Sequence, residues 1–425
     1  MPFDSRTRDI VKIGDGLFDR LGLLSLWQDI AQNFYPERAD FTANRSLGEE
    51  FASDLFTSYP PMLRRELANL FAAFLRPRAA SWFELHAKDK QRDKDKGARQ
   101  WMEWAQKVQW QAMYDPASQF VRATKEADHD FATFGQSVKS VDLDYETMTL
   151  LYRAWHLRDC AWAENNAGKI DTMHRRWKAT VRSLCRLFKD KLHPNVLRLK
   201  EKEPEKQISC RHIVVPAYDY DDKSAKDGWV SIYIDEENET VLEQKPVRWF
   251  QYIVPRWQTV SGSQYARSPA TEIALPDGRL SQAIMRVLLE AGEKAVDPPM
   301  VAVGAAMRSD VNLMAGGISV VDIDYDQRSG EPLQQAQDIS KGLPFGIDIH
   351  QMIQEQLKQA FFLNKLGLPE VQMKTMTAFE IRKIIEDHIR QSAPIFEPVE
   401  QEDNAPTCNL TFEILQANGA FGPAD

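Results

Sequence analysis

Basic excess is missing from this sequence. Its 53 Lys and Arg are outnumbered by 62 Asp and Glu, giving a net charge of −9. Bulk attraction to phosphate therefore cannot hold the chain on nucleic acid, and a tight, static DNA binder is disfavoured. Cysteine is scarce: Cys160, Cys185, Cys210 and Cys408 are widely spaced, with no C-x-x-C pair and no histidine at zinc-ligand spacing. A reduced chain without a disulfide framework is expected. No run of about 18 apolar residues occurs, and the opening MPFDSRTRDI lacks an apolar stretch after a basic start. The expectation is therefore neither export nor a membrane span, and no direct membrane contact. Disorder-type composition is absent too, since 43% of residues are hydrophobic and 27% charged. A chain of 425 residues predicts two or three packed units, and no repeat at a fixed period is present.

Catalytic signatures are equally lacking. There is no G-x-x-x-x-G-K-[ST] to cradle a triphosphate, no H-E-x-x-H, no G-x-S-x-G, and no G-x-G-x-x-G after a strand. Asp322, Asp324 and Asp326 match the first three ligands of a calcium loop, but Gln327 and Leu333 stand where Gly and Glu are needed. Asp219, Asp221 and Asp222 read as a charged turn. The eight histidines form no H-x-H or H-x-x-x-H pair. Trp177 beside Arg175, Arg176 and Lys178 is the most basic aromatic cluster and could stack on a nucleic acid. A strand end passing into a helix explains it better. No enzyme activity and no cofactor is expected.

What is present is a succession of amphipathic elements. Ile10, Ile13, Leu17, Leu21, Leu24, Trp27, Ile30 and Phe34 predict one helix, or two broken near Gly22, ending before Pro36. A second helix is predicted over Met62–Leu75 behind Pro60 and Pro61. Ser137–Asp144 and the following stretch to Trp162 alternate like strands, and the ENNAGK turn at 164–169 supports a hairpin. Lys178–Phe188 reads as a helix stopping near His193-Pro194. Ile208–Pro216, Gly228–Ile234 and Thr240–Pro246 read as three short strands of a β-rich insertion. A long helix is predicted from Ser268-Pro269 to Val296, bent or interrupted at Pro276-Asp-Gly278 and ended by Asp297-Pro298-Pro299. A long polar loop over 324–345 follows. A helical region then starts near Asp348, breaks at Gly367-Leu-Pro369 and resumes over Thr377–Gln391, before a short terminal helix over Leu410–Ala417. The fold class is α+β, mainly helical.

Several strings, in this order, resemble the portal or head-to-tail connector family of short-tailed bacteriophages. They are WFEL at 82–85, FATFGQSVKSVD at 131–142, GKIDTMHRRW at 168–177, SQYARSPATEIALPDGRLSQA at 263–283, DPPMVA at 297–302, and FFLNKL at 361–366 followed by MTAFEIRKIIEDH at 376–388. Together they cover the chain from about Trp27 to Gly419.

The resemblance implies a portal fold with wing, stem and clip, assembled as a ring of twelve copies around a DNA channel at one capsid vertex. It places an N-terminal wing at 1–176, a first stem helix at 177–197, a β-rich clip at 198–260 and a second stem helix at 261–297. Wing completion with a tunnel loop at about 324–345 and a broken helix falls at 298–395, and a C-terminal helix with the start of a crown at 396–425. Implied partners are the major capsid protein, scaffolding protein, the packaging terminase, the tail adaptor protein, and double-stranded DNA passing through non-specifically. Arg328, Gln334, Gln335, Gln337 and Lys341 are the tunnel-loop residues expected to face DNA. Tyr218, Tyr220, Trp229 and Tyr233 are the expected clip contacts, and Arg279 and Arg286 the stem residues. Two alternatives stay open: a metal-dependent phage enzyme such as a nuclease using Asp322, Asp324 and Asp326, or another tail ring component such as an adaptor.

Overall fold

The architecture comes from a computed structural model, which describes residues 2–422 apart from 45, 47, 53, 79–80, 90–93, 221–227, 297–299, 303–332, 336–342, 367–389 and 391–392. Helices α1 (Ser5–Phe18) and α2 (Leu21–Phe34) arise from one apolar periodicity. The break falls at Asp19 and Arg20, not at Gly22, because the buried Arg20 guanidinium donates to the carbonyls of Leu157 (2.8 Å) and Cys160 and to the Tyr265 hydroxyl (2.8 Å). That anchorage pins the turn. Helix α3 (Tyr59–Leu75) starts on Pro60, as the sequence indicated. Helices α4 (Lys96–Met113) and α5 (Phe120–Phe134) follow, the latter closed by Gly135 in the left-handed region at φ 71°.

Strands β1 (Val138–Asp144) and β2 (Thr149–Trp155) form a hairpin, and β3 (Cys160–Glu164) and β4 (Ile170–Thr180) form another. The turn between β3 and β4 is the expected one. The Asn165 amide donates to the Lys169 carbonyl at 2.8 Å, and Gly168 takes φ 72°.

From Trp177 onward the structure departs from the expected helix over 177–197. β4 continues to Thr180, then come α6 (Val181–Phe188), a tight turn at Lys189–Lys191, and α7 (Pro194–Lys202). The physical reason is pairing: Trp177, Lys178, Ala179 and Thr180 lie opposite Cys210, Ser209, Ile208 and Gln207. Backbone bonds to a neighbouring strand outweigh the weak local preference for helix. His193-Pro194 likewise starts a helix instead of ending one, because the His193 ring accepts from the Asn195 amide at 3.2 Å and Pro194 occupies the first turn.

The β-rich insertion expected over 198–260 is not a separate unit either. Strands β5 (Gln207–Pro216), β6 (Trp229–Asp235) and β7 (Thr240–Val247) join β3 and β4 in one antiparallel sheet of order β3-β4-β5-β6-β7, with the short α8 (Ala217–Tyr220) after β5. Strand β8 (Tyr252–Ile253) instead pairs with β1, giving a second sheet of order β2-β1-β8.

Helix α9 (Thr271–Val296) runs unbroken through Pro276. Proline in the second turn removes only one of the earliest intrahelical bonds, the one to Glu272, so the helix survives. A short β9 (Met300–Ala302) pairs with β10 (Leu333–Gln335), so part of the stretch expected as loop is strand. Helix α10 (Leu343–Ala360) begins before Asp348, with Pro344 in its first turn, and α11 (Leu363–Leu366) ends before Gly367. The helix expected over 377–391 lies almost wholly outside the described residues. A π-helical turn at Glu400–Asn404 leads into α12 (Ala405–Ala417), longer than the sequence suggested.

The largest core gathers Trp27 and Phe34 from α2, Leu67 and Phe71 from α3, Phe131 and Phe134 from α5, Trp162 from β3, and Leu357 and Phe361 from the α10 region. Burial of each such side chain contributes about 1.5–3 kcal/mol. Close approach matters at Gly278 of α9, where a Cβ would lie 2.8 Å from the Phe34 ring. A second core holds α4, β1, β2 and α12 together, a third lies between α1 and the five-stranded sheet, and a fourth under α6 and α7.

Candidate functional site

Ionisable groups inside the protein are arranged for structure. Burial pushes the thiols of Cys160, Cys210 and Cys408 up to about 12, which leaves them without thiolate at neutral pH. Burial likewise holds His129 down to about 4 and His174 down to about 3, and His212 falls well below its ordinary value. His212 is committed to the Tyr252 hydroxyl at 2.6 Å and the Ser231 hydroxyl at 2.8 Å. Among the described residues, no group of three or more His, Cys, Asp or Glu side chains could hold a metal ion. Asp322, Asp324 and Asp326 lie outside the described residues.

The basic aromatic cluster at 175–178 turns inward. Arg175 lies 3.8 Å over the Trp155 ring and 4.7 Å from that of Trp177, and donates to the Tyr252 hydroxyl at 3.0 Å. It binds the two sheets to each other rather than offering a surface to a polyanion. Arg176 and Arg211 reach across to Asp15 of α1, each at 2.6 Å.

Surface is where the molecule leaves chemistry unspent, and α9 is the clearest case. One side of the helix packs into the body through Ala274, Leu275, Gly278, Ser281 and Gln282. Its other side exposes Ile273, Leu280 and Val287, at 67%, 46% and 58%. These three stand seven residues apart, so they form a straight apolar stripe about 21 Å long. Apolar residues thus stand on two sides of this helix. Helix α10 packs antiparallel beside it, closely enough that a Cβ at Gly346 would lie 2.7 Å from Leu288. It exposes Phe345 and Met352, again seven residues apart, at 70% and 56%. The stripe was present in the sequence as a second heptad spacing within the predicted long helix, but a single-face reading passes over it.

The residues singled out from the sequence scatter. Arg279 pairs with Asp29 of α2, and Arg286 with Glu290 one turn on at 3.6 Å, so both lie on α9. Of the four aromatic residues expected at a contact surface, only Tyr218 presents itself, at 70% exposure, with its hydroxyl 3.3 Å from Asp171. Tyr220 is buried and donates to Gln244 at 3.0 Å, Trp229 is half-buried and donates to the Asp171 carbonyl at 3.1 Å, and Tyr233 stacks on His212 at 4.0 Å. The alternation of β6 and the fold-back of α8 onto the sheet turn these three inward. Gln334 and Gln335 fall on β10, opposite Val301 and Met300. Arg328, Gln337 and Lys341 lie outside the described residues.

Comparison with known proteins identifies the family. Residues 19–425 match the family described as "Bacteriophage head to tail connecting protein". The chain is 26% identical over 412 residues to the "Probable portal protein" of Bordetella phage BPP-1, covering 94% of this chain and 73% of that protein. It is 20% identical over 410 residues to the "Portal protein" of Salmonella phage epsilon15, covering 93% and 72%. The matched region takes in every element described above except α1, and the chain belongs to the bacteriophage head-to-tail connecting protein family.

Proposed function

We propose that copies of this chain, twelve in number, close into a ring at one capsid vertex and form the channel through which the genome is packaged and later ejected. The observation that carries this reading is the two-sided apolar character of α9. A ring closed by rotation needs heterologous contacts, with one surface of each copy meeting a different surface of the next. The α9 stripe of Ile273, Leu280 and Val287 and the α10 pair of Phe345 and Met352 are two such surfaces on neighbouring helices. A net charge of −9 per copy suits the channel, because a lining poor in cations gives phosphate little to hold and lets DNA slide.

The stem is better sought in α9 and α10 than at 177–197. These two helices pack side by side, and the chain between them, 297–342, takes the place between stem helices that the resemblance gives to the clip. β5, β6 and β7 are spoken for by their sheet with β3 and β4. Arg328, Gln334, Gln335, Gln337 and Lys341 stay the tunnel-loop residues that the resemblance turns toward DNA, and the ring meets the packaging terminase first and the tail adaptor afterwards. Arg279 and Arg286 lie along the stem. Capsid and scaffolding proteins contact the wider part of the ring, made by the helices around the large core and the two sheets.

Size-exclusion chromatography with light scattering, followed by negative-stain imaging of the purified protein, tests this. The expected particle is many times the 48.8 kDa chain mass and has a central hole. A monomer without a hole overturns the ring, and a monomer that cleaves DNA in the presence of magnesium would establish the enzyme reading instead.

A further inference from the structure

The acidity of the chain is not evenly spread. Residues 182–200 hold six Lys and Arg against one Asp, a local charge of +5, so the remainder of the chain carries −14. This stretch is α6, the turn at Lys189–Lys191 and most of α7, two helices that pack on each other beyond the end of β4. Val181, Leu184, Leu192 and Val196 seat the hairpin on Ala179, Ile208, Cys210 and Leu242 of the five-stranded sheet. Its other side carries the cations, and Arg182, Arg186, Lys189, Lys191, Arg198 and Lys200 are all exposed. Arg182 is paired with Glu205 at 2.6 Å and Lys191 with Glu243 at 3.4 Å. Arg186, Lys189, Arg198 and Lys200 make no ion pair among the described residues.

Helix stability does not account for this charge. A helix is favoured by anions in its first turn and cations in its last. Arg186 and Lys200 hold such last-turn places, but neither helix has an acidic residue in its first turn. Arg182 stands there in α6 instead, and Arg198 lies in the middle of α7. Two leucines interrupt the cations: Leu187, beside Arg186, is 64% exposed, and Leu197, beside Arg198, is 42% exposed. The phosphates of a nucleic acid offer such side chains no apolar surface. An acidic protein segment with apolar residues of its own meets both the charge and the leucines.

We propose that the α6–α7 hairpin docks an acidic, amphipathic segment of a partner protein, with carboxylates at Arg186, Lys189, Arg198 and Lys200 and apolar side chains at Leu187 and Leu197. This goes beyond the ring reading and does not depend on it, since the exposed residues of α9 and α10 take no part. Purified protein, in whatever assembly it forms, would be titrated into three fluorescein-labelled probes at about 0.1 M salt, where exposed charges are screened beyond about 10 Å, with binding read by anisotropy. The first is a sixteen-residue glutamate peptide with leucines at three- and four-residue spacing. The second has serine in place of each leucine, and the third is a DNA duplex of sixteen base pairs.

The expected result is at least tenfold tighter binding of the leucine peptide than of either other probe. Arg186→Glu combined with Arg198→Glu should weaken it at least tenfold with circular dichroism unchanged, and Leu187→Ser combined with Leu197→Ser should remove the preference between the two peptides. Equal binding of the two peptides, tighter binding of the duplex, unchanged affinity after charge reversal, or no binding of any probe, as when a neighbouring copy covers the hairpin, overturns the proposal. If the charge-reversed protein does not fold, Arg186→Gln combined with Arg198→Gln decides: a severalfold loss of the leucine peptide supports the docking site, and an unchanged affinity sinks it.

Discussion

Arg76 and Asp403, 327 residues apart in the chain, meet at 3.2 Å inside the protein, and both side chains are only 4% exposed. Arg76 also reaches Asp128 of α5 and, at 2.8 Å, the side-chain oxygen of Asn404, while Lys139 of β1 holds the other oxygen of Asp403. Two cations and two carboxylates thus tie α3, α5, β1 and the π-helical turn before α12 into one knot. Burial pushes the Asp403 carboxyl up, but Lys139 and Arg76 outweigh it and hold it below the usual range.

Removing one member leaves uncompensated charge in the interior, which costs more than the pair contributes. Asp403→Ala is therefore expected to lower stability by about 3–5 kcal/mol. Urea unfolding of the variant and the parent protein measures this. A change below about 1 kcal/mol, typical of a surface pair, would show that water reaches the knot.

Acid should weaken the fold through its buried histidines. His129 and His174, held near 4 and 3 by burial, and His212, also depressed, take up protons more readily in the unfolded chain. As pH falls below about 6.5 the unfolded state gains protons that the native state refuses, so stability is complete above that value and declines toward pH 4. The His174 ring, faced by Arg176, Arg211 and Asp15, has no hydrogen-bond partner at either nitrogen among the described residues. His174→Leu should flatten part of the decline, as seen in urea midpoints measured from pH 7.5 to 4.5.

Gly135→Ala should be poorly tolerated. The residue closes α5 with a positive φ, and a Cβ would sit 2.2 Å from the Arg267 carbonyl carbon, inside the backbone that leads into α9. Strain and displacement together should cost more than the roughly 1 kcal/mol of an ordinary left-handed glycine replacement. Thermal unfolding measures it, and a loss within that ordinary range would mean that the Arg267 segment yields freely.

Leu280→Glu combined with Val287→Glu should abolish oligomerisation while leaving the fold of the single chain intact. Both positions are exposed, so charge there costs little in the isolated subunit but is buried unpaired at a subunit contact. Light scattering would show the particle mass fall, with helical content by circular dichroism unchanged. Retention of the large particle would move the subunit contact elsewhere.

Thiol reactivity should divide the cysteines. Cys160, Cys210 and Cys408 are buried with raised thiols, whereas Cys185 on α6 is partly exposed. Titration of the native protein with a disulfide reagent should consume one thiol quickly and the other three only after unfolding.

Much of the helical layout was legible in the amino-acid order. α2, α3, the course of α9 and the stop before Pro298 follow from period, proline placement and end signals, which act within a few residues. The hairpin turn at Asn165 to Gly168 was equally local. The boundary at Trp177 was not legible, since Trp177 to Thr180 suit either state and only their register with β5 settles them. Nor was the inward turn of Tyr220, Trp229 and Tyr233, because an aromatic residue in a β-rich stretch shows its face only once the sheet is assembled.

The sequence by itself determined that this is a reduced-type, acidic α+β chain without a recognisable catalytic motif, and the succession of its elements sufficed to suggest the connector family. Tertiary structure alone decided that five strands share one sheet, that Arg76 and Asp403 meet, and which side of α9 is left bare. The physical reason is range: turn chemistry and helical period are fixed by neighbours in sequence, whereas strand partners, buried ion pairs and exposed faces are set by contacts hundreds of residues apart.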